Sequence, residues 1–360
     1  MRRTALVVTA VLLGCLALVG SAAAQCDSDF VTVNAKFITV APTGADDTAN
    51  LQCALDLGAA TGPGVTVWLA EGTFHTEQLV IKDFRGRVSG MGQGVTILHS
   101  PSYALHIDRP CIGTGPCFAD EPPSATNRYP SLVSILGTDV TVTDLSIVVS
   151  GGYGTERWEF WGGKMNLLSN VVQVMGSNGW YRLDGIAIDA GAIRVAGGIN
   201  VGDAAGGINM WSFSRPWSVT DSTLTLSRSY LRGGSSGFMG YNLDRSRVFV
   251  RDNRFELNGA RVGFSDVLAS QVMVEGNEIA GLTPGAIGGN GIRLNRGNFL
   301  TGIVDSSLWF ANNTILANRG IFIEAGTFDN VKCQAVNNDM GATTTPFFLN
   351  GQPCKVVADQ

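Results

Sequence analysis

Charged residues are scarce in this chain of 360 residues. They make up 15% of it, with 25 Lys and Arg against 30 Asp and Glu, and the formal net charge is −5 without any basic cluster. The sequence therefore lacks the basic surface that holds nucleic-acid phosphates, and we expect no nucleic-acid partner. Hydrophobic residues make up 45% of the chain, which excludes an intrinsically disordered protein.

Long apolar runs are absent after the N-terminus. Arg2 and Arg3 precede an apolar run over residues 5–20, and Ala22-Ala23-Ala24 supplies a small-residue cleavage site. This pattern predicts a signal peptide over 1–24 and one domain over 25–360, exported outside the cell or into a periplasm and not held in the membrane after cleavage. An uncleaved anchor and a lipoprotein modified at Cys15 are the alternatives, and the Ala-x-Ala ending favours cleavage.

Metal-binding motifs are absent as well. The chain has three histidines without ligand spacing to cysteine or carboxylate, and no Cys-x-x-Cys, so we predict no metal site of the zinc type. Removal of Cys15 with the signal leaves six cysteines, an even number that indicates disulfides in an exported chain. Proximity in sequence suggests the pairs Cys26–Cys53, Cys111–Cys117 and Cys333–Cys354.

Helical periodicity is nearly absent after the signal. The one candidate helix covers 47–60, with Asp46 or Asp47 as its cap and Leu51, Ala54 and Leu55 on one face. Downstream, short alternating segments separated by Gly, Asn and Asp predict strands.

An internal repeat predicts how these strands assemble. The unit is apolar-x-apolar-x-x-Asn-x-apolar, most copies start about 25 residues apart or about twice that, and the copies centre on Asn170, Asn253, Asn277, Asn313 and Asn338, with Ser222 and Leu145 in two looser copies. Five residues separate the second and third apolar positions, so a straight strand would expose one of them. A corner at Asn keeps both inside, and stacked asparagines can hydrogen-bond as a ladder. The repeat therefore predicts an all-β parallel β-helix with a short N-terminal capping helix.

A second repeat, Gly-apolar-x-apolar followed by an acid or amide, suggests a functional face. Its copies end at Asp189, Asp244, Asn295 and Glu324. If each apolar pair faces inward, these four polar side chains point outward on one face. The alternative is that they begin solvated turns.

The segment 45–81 resembles the opening of the pectate-lyase-like superfamily. It contains Asp46-Asp47-Thr48-Ala49-Asn50-Leu51-Gln52, then Gly64-Val65-Thr66-Val67-Trp68-Leu69-Ala70-Glu71-Gly72-Thr73-Phe74, then Leu79-Val80-Ile81. The resemblance implies a right-handed parallel β-helix and an extracellular polysaccharide as partner. Because the sequence lacks the Asn-Thr-Asp and Gly-His-Gly motifs of polygalacturonases and the Asp-Pro-His of epimerases, the resemblance implies no particular reaction.

Two kinds of catalytic site can be built from the candidate face. Arg261 and Arg293 should project outward on neighbouring coils, where they could hold a sugar carboxylate as a polysaccharide lyase requires, or pair with Glu324 or Asp266. A glycoside hydrolase needs two nearby carboxyl groups, and Asp244 with Asp266 is the best such pair. That pair could equally bind Ca²⁺, although no cofactor is required.

Aromatic residues in a glycine-rich stretch offer a sugar-stacking surface. Trp158 and Trp161 lie there, and they could form one wall of a groove or simply pack over the coils. Two functions therefore stay open. One is a lyase or hydrolase of acidic polysaccharides, and the other is a non-catalytic β-helix that binds glycans or a surface partner. The sequence does not indicate whether the protein is a monomer or an oligomer.

Overall fold

One helix begins the fold. The computed structural model describes residues 26–77, 79–100, 131–149, 157–160, 163–166, 170–189, 197–201, 219–232, 237–257, 262–281, 290–295, 302–323, 326–341, 343, 345–349 and 354–357. Helix α1 (Thr48–Thr61) buries Leu51, Ala54 and Leu55 against the first strands. The carboxylate of Asp46 accepts a hydrogen bond from the backbone N–H of Thr48 (2.9 Å), which satisfies a donor at the start of the helix. The predicted capping helix is confirmed within one residue at either end.

The strands form three sheets, called A, B and C, and the chain visits them in that order. Sheet A contains β1 (Val31–Asn34), β2 (Phe37–Val40), β3 (Val65–Leu69), β6 (Arg85–Ser89), β9 (Asp139–Thr143), β14 (Trp180–Asp184), β18 (Thr223–Ser227), β21 (Arg247–Arg251), β24 (Gln271–Glu275), β28 (Ser307–Ala311), β32 (Lys332–Val336) and β34 (Cys354–Val357). Sheet B contains β4 (Gly72–His75), β7 (Thr96–Ser100), β10 (Ser146–Val149), β15 (Ala187–Asp189), β19 (Tyr230–Arg232), β22 (Arg254–Leu257), β25 (Glu278–Gly281) and β29 (Thr314–Leu316).

Sheet C completes each coil. It contains β5 (Leu79–Lys82), β8 (Ser131–Leu136), β13 (Asn170–Ser177), β16 (Gly197–Val201), β17 (Val219–Thr220), β20 (Phe238–Asp244), β23 (Val262–Leu268), β26 (Asn290–Asn295), β27 (Ile303–Val304), β30 (Arg319–Ile323), β31 (Phe328–Asp329) and β33 (Thr345–Phe348). Two further strands, β11 (Arg157–Phe160) and β12 (Gly163–Asn166), pair with each other as an antiparallel hairpin.

Apart from the antiparallel pair β1–β2 at the start of sheet A, pairing within each sheet is parallel from coil to coil. β23, β24 and β25 follow one another along the chain, and each pairs in parallel with the strand of its own sheet on the next coil. Inward-facing aliphatic and phenylalanine side chains from all three sheets form one buried core. The fold is a right-handed parallel β-helix, as the sequence predicted.

Most of the corners between sheets C and A, and most of those between sheets A and B, are two residues long, and their first residue adopts a left-handed backbone conformation. This tight bend lets the next strand begin at once and keeps the coils in register. Positive φ angles of 46° to 66° occur at Asp221, Arg245, Ala269 and Asp305 between sheets C and A, and at Asp252, Gly276, Asn312 and Asn337 between sheets A and B.

The second corner residue between sheets A and B forms the predicted asparagine ladder. Asn253 donates from Nδ2 to Oδ1 of Asn277 (2.9 Å), Asn277 does the same to Asn313 (2.9 Å), and Asn313 to Asn338 (2.8 Å). Leu145 lies at the same corner, between β9 and β10. Asn170 does not, because it begins β13 of sheet C beside Ser131 and Gly197, so its assignment to the ladder was wrong.

A serine ladder occupies the corner between sheets C and A. Ser246 accepts on Oγ the backbone N–H of Ser222 (3.1 Å), and Ser270 and Ser306 continue the pattern in the same way. Ser222 therefore belongs to this second ladder and not to the asparagine ladder in which the sequence repeat placed it. The repeat misplaced it because both corners follow a strand with the same inward alternation.

Two of the three proposed disulfides are confirmed, Cys26–Cys53 and Cys333–Cys354, and Cys111–Cys117 lies outside the described residues. The predicted signal peptide also lies outside them. No helix in the described part of the chain is long and apolar enough to cross a membrane.

Candidate functional site

The four polar residues of the second repeat do not share one face. Asp189 ends β15 in sheet B, whereas Asp244 and Asn295 end β20 and β26 in sheet C, and Glu324 lies outside the described residues. Strands of all three sheets bury alternate residues. The pattern therefore identifies which residues of a strand face inward, but it does not identify the sheet to which the strand belongs. The prediction of one common face was therefore wrong for Asp189.

Asp244 and Asp266 lie on neighbouring strands of sheet C but are not side by side. The register pairs Asp244 with Leu268, two residues beyond Asp266. Asp244 accepts a hydrogen bond from Arg245 (2.7 Å), and the buried carboxylate of Asp266 accepts the backbone N–H of Gly302 (3.2 Å). Both carboxylates thus take part in structural contacts, and their role as a hydrolase or Ca²⁺ pair stays a prediction.

Arg293 projects from the outward face of sheet C, as predicted. Its neighbours along β26, Ile292 and Leu294, are buried in the core, while Arg293 is half-buried. The register places Gly263 beside Arg293 on the preceding strand, where Arg261 had been expected. Arg261 itself lies outside the described residues.

The remaining predicted residues are only partly described. Asn295 pairs in register with Ser265 of β23. Trp158 lies in the β11–β12 hairpin opposite Met165, and Trp161 lies outside the described residues. Their proposed roles in sugar binding stay predictions.

An arginine and phenylalanine cluster occupies the outward side of sheet C near its C-terminal end. It consists of Arg293, Arg319, Phe322 and Phe348. The rings of Phe322 and Phe348 stack with centroids 4.9 Å apart and an interplanar angle of 21°. The guanidinium of Arg319 lies 4.6 Å from the centroid of Phe322 and 5.7 Å from that of Phe348, and that of Arg293 lies 5.8 Å from Phe322.

Coil stacking brings this cluster together. Gly263, Arg293, Phe322 and Phe348 occupy the same register position on four successive strands, so the side chains of Arg293, Phe322 and Phe348 lie one above another. Phe348 leaves 42% of its surface exposed. The sequence reasoning missed Arg319, Phe322 and Phe348. Their spacing of about one coil, given that Arg293 was already a candidate, is the signal that could have identified them.

The cluster differs from the neighbouring charged surfaces. Within the part of the chain that the structure describes, no carboxylate lies within ion-pair distance of the exposed Arg319. On sheet B, by contrast, Arg232 pairs with Asp189 (3.4 Å), and Arg254 pairs with Glu256. Arg319 is therefore available to an anionic ligand.

Charges on sheets A and B neutralise one another. A hydrogen bond from Arg228 (Nε to Oδ1, 2.8 Å) is the main cause that lowers the pKa of Asp184 to about 2, with Ser227 and Arg182 acting in the same direction against the effect of burial. On sheet B the hydroxyl of Tyr230 donates to Glu256 (2.5 Å), and this bond is the main cause that lowers the pKa of Glu256. These carboxylates are already satisfied by protein partners.

Comparison with solved structures finds proteins of low identity. The chain is similar to the ORF18 protein of Geobacillus virus E2, at 12% identity and a TM-score of 0.44, over 83% of this chain and 56% of that one. It is also similar to pectin methylesterase PemA from Erwinia chrysanthemi (7% identity, TM-score 0.46, 88% and 92% covered) and to PfbA, a surface adhesin of Streptococcus pneumoniae (14% identity, TM-score 0.31, 82% and 83% covered).

No protein-family model matches the sequence, and no curated protein matches it. The strand pairing described above is that of a parallel β-helix, the fold that the sequence resemblance implied. Identities of this size concern the fold alone.

Proposed function

We propose that this protein is exported and binds an extracellular acidic polysaccharide on the outward face of sheet C, at the cluster of Arg293, Arg319, Phe322 and Phe348. The observation that carries the proposal is Arg319, which is exposed, lies over two stacked rings and has no carboxylate partner among the described residues. A cation beside an exposed aromatic ring matches the two chemical features of a uronic acid, a carboxylate and an apolar ring face.

The coil geometry suits a polymer. Neighbouring strands lie about 4.8 Å apart, so side chains at one register position form a row parallel to the coil axis. Arg293, Phe322 and Phe348 form such a row. Phe322 is buried beneath its neighbours, so a chain of sugars lying along the row would meet half-buried Arg293 and exposed Phe348. Phe348 supplies the ring that a sugar can stack on, because 42% of its surface is exposed.

Export is supported by two features. The disulfides Cys26–Cys53 and Cys333–Cys354 are typical of proteins that fold in an oxidising compartment. The apolar run and the Ala-x-Ala site near the N-terminus also predict export.

Cleavage of the polysaccharide by a lyase reaction is the second candidate function. Arg293, near Phe322 in the same row, could stabilise the charge that develops when the proton beside a uronate carboxyl group is removed. A hydrolase receives less support, because Asp244 and Asp266 are offset in register and each already accepts a hydrogen bond from protein.

The binding proposal is tested by comparing polygalacturonate and alginate with neutral dextran. We expect the mature protein to bind the acidic polymers, and Arg319→Ala and Phe348→Ala each to weaken binding by about tenfold. Arg247→Ala, which removes an exposed arginine from sheet A, is the matched control and should bind as wild type. Equal affinity for dextran, or full binding by both cluster variants, would overturn the proposal.

The lyase candidate has its own assay. Release of unsaturated uronides from the acidic polymers, followed by their ultraviolet absorbance, should be lost in Arg293→Ala if the reaction occurs. Binding without such release across the panel would leave the protein a non-catalytic glycan binder.

A further inference from the structure

Two of the three histidines meet on the outward side of sheet B, away from the arginine and phenylalanine cluster. His75 ends β4, and His99 is its register partner in β7 on the next coil. Their Nδ1 atoms lie 3.3 Å apart, and their ring centroids lie 5.4 Å apart at an interplanar angle of 68°. The nitrogens therefore face each other across one strand spacing.

This separation fits a shared metal ion. An imidazole nitrogen binds zinc at about 2.0 to 2.1 Å, so two such ligands at a tetrahedral angle lie about 3.3 Å apart. The two rings already present their nitrogens at that separation. A metal ion could therefore bind between them with little movement of either strand.

We propose that His75 and His99 bind a divalent transition-metal ion, Zn²⁺ or Cu²⁺, through their facing Nδ1 atoms. Imidazole is a preferred ligand of both ions, whereas Ca²⁺ and Mg²⁺ prefer oxygen ligands. Across the part of the chain that the structure describes, no group of three or more His, Cys, Asp or Glu side chains forms a metal cage. The site is thus a two-histidine site, and water completes the coordination.

A carboxylate lies beside the pair. Asp46 is the parallel bridge partner of His75, so Asp46, His75 and His99 occupy one register position on three successive coils. Asp46 is exposed, and its Oδ1 is held by the backbone N–H and the hydroxyl of Thr48. Its position one strand spacing from His75 suits it to accept a hydrogen bond from metal-bound water.

The backbone around both rings is fixed. The N–H of His75 donates to Oδ2 of Asp47 (3.0 Å), and the N–H of Asp47 donates to the carbonyl of His75 (2.7 Å). The N–H of Thr76 donates to the carbonyl of His99 (2.9 Å). A site carried on paired strands held in this way keeps its geometry without metal, which lowers the cost of binding.

The pair escapes a search for local metal motifs because one whole coil separates its members. Motifs such as Cys-x-x-Cys place their ligands within a few residues of one another. In a solenoid the informative spacing is the coil length of about 25 residues, and His75 and His99 are separated by nearly that length.

Calorimetric titration of the metal-free mature protein with ZnCl₂ tests the site, with nitrogen couplings in the electron paramagnetic resonance spectrum of added Cu²⁺ as a second readout. We expect one equivalent to bind, and His75→Gln and His99→Gln each to weaken binding by at least about tenfold. Thr73→Ala, two residues before His75 and outside the pair, is the matched control and should bind as wild type.

A variant that gains a metal ligand keeps the proposal testable even if the variants that lose a histidine do not fold. Val148 is the register partner of His99 on the next coil and is half-buried. Val148→His places a third imidazole in the row, and we expect zinc affinity to rise by about tenfold or more. The inference is overturned if wild type binds Zn²⁺ and Cu²⁺ no more tightly than the folded His75→Gln/His99→Gln double variant, which would leave the two rings joined only by a hydrogen bond.

Discussion

Asn277 donates a hydrogen bond from its Nδ2 to Oδ1 of Asn313 on the next coil, 2.9 Å away. The same Nδ2 reaches the carbonyl of Val250 (2.9 Å), while Oδ1 of Asn277 accepts the backbone N–H of Asn253 (3.0 Å). The side chain is almost completely buried. One amide thus satisfies the backbone of two coils at a corner that water does not reach.

Removing this amide should destabilise the fold strongly. Asn277→Ala leaves several buried donors and acceptors without partners, and we expect a loss of about 3 kcal/mol in the free energy of unfolding, measured in urea. Asn338→Ala should cost less, about 1 kcal/mol, because Asn338 is only half-buried at the end of the ladder. Gln334→Ala, at an exposed position of β32, is the control. Equal losses at Asn277 and Gln334 would contradict a structural role for the ladder.

This ladder shows how far the sequence determines the fold. Asparagine can satisfy a buried corner through both its donor and its acceptor, so its spacing predicted the corner correctly at Asn253, Asn277, Asn313 and Asn338. Serine performs the corresponding task at the other corner but is common on surfaces as well. The serine ladder therefore went unrecognised, and Ser222 was placed at the wrong corner.

The candidate site was harder to predict than the fold. Arg293 was identified as outward-facing because two buried aliphatic residues flank it. Its neighbours, however, depend on the number of residues inserted in each coil, and that number varies along the chain. For this reason Gly263 lies where Arg261 was expected, and the approach of Phe322 and Phe348 became evident only from the register.

The stability of the protein should depend on pH through Asp184. Its pKa is lowered to about 2 from an ordinary value of 3.8, chiefly by the hydrogen bond from Arg228. A lowered pKa in the folded state stabilises the protein at pH values above the unfolded pKa, and this stability is lost as pH falls from about 4 to about 2.

The predicted difference in unfolding free energy between wild type and Asp184→Asn is therefore about 2 kcal/mol near pH 7, and it should shrink towards pH 2. Ser227→Ala, which removes a neutral hydrogen bond to the same carboxylate, should show the same trend at smaller size. Denaturant unfolding at several pH values measures both. A difference for Asp184→Asn that stays constant with pH would exclude this linkage.

Backbone strain at a corner offers a stabilising substitution. Ala269 adopts a φ of 46°, which is costly for a residue with a Cβ atom. Ala269→Gly should raise the free energy of unfolding by about 0.5 kcal/mol, because the strain relieved exceeds the added flexibility of the unfolded chain. Gly276→Ala is the reverse case: φ is 66°, and a Cβ atom there would lie 2.5 Å from Oδ1 of Asp252. Gly276→Ala should lower the free energy of unfolding by at least about 1 kcal/mol. Thermal unfolding that showed both variants stabilised, or both destabilised, would contradict a role for backbone strain at these corners.

The salt dependence of binding should distinguish the contribution of Arg319 to glycan affinity from that of Phe348. Attraction between Arg319 and a sugar carboxylate is screened by ions, whereas stacking on Phe348 is not. Wild-type affinity for polygalacturonate should therefore fall as salt rises, with a weaker dependence in Arg319→Ala. Phe348→Ala should bind more weakly at every salt concentration and keep the wild-type salt slope. Identical slopes for wild type and Arg319→Ala would show that this arginine does not contact the carboxylate.

The disulfide Cys333–Cys354 should hold the last strand of sheet A in place. The two cysteines are register partners in β32 and β34, and β34 is an edge strand, whose outer side no further strand covers in the described chain. Edge strands open more readily than central ones, so the crosslink is expected to matter most here. In Cys333→Ser/Cys354→Ser, amide hydrogen exchange in β34 should quicken by at least about tenfold, since closing a loop of this length contributes about 3 kcal/mol. Cys26→Ser/Cys53→Ser, at the opposite end of the β-helix, should leave exchange in β34 unchanged, because contacts in a solenoid reach only neighbouring coils. Equal quickening in the two double variants would instead mean that the β-helix unfolds as one cooperative unit.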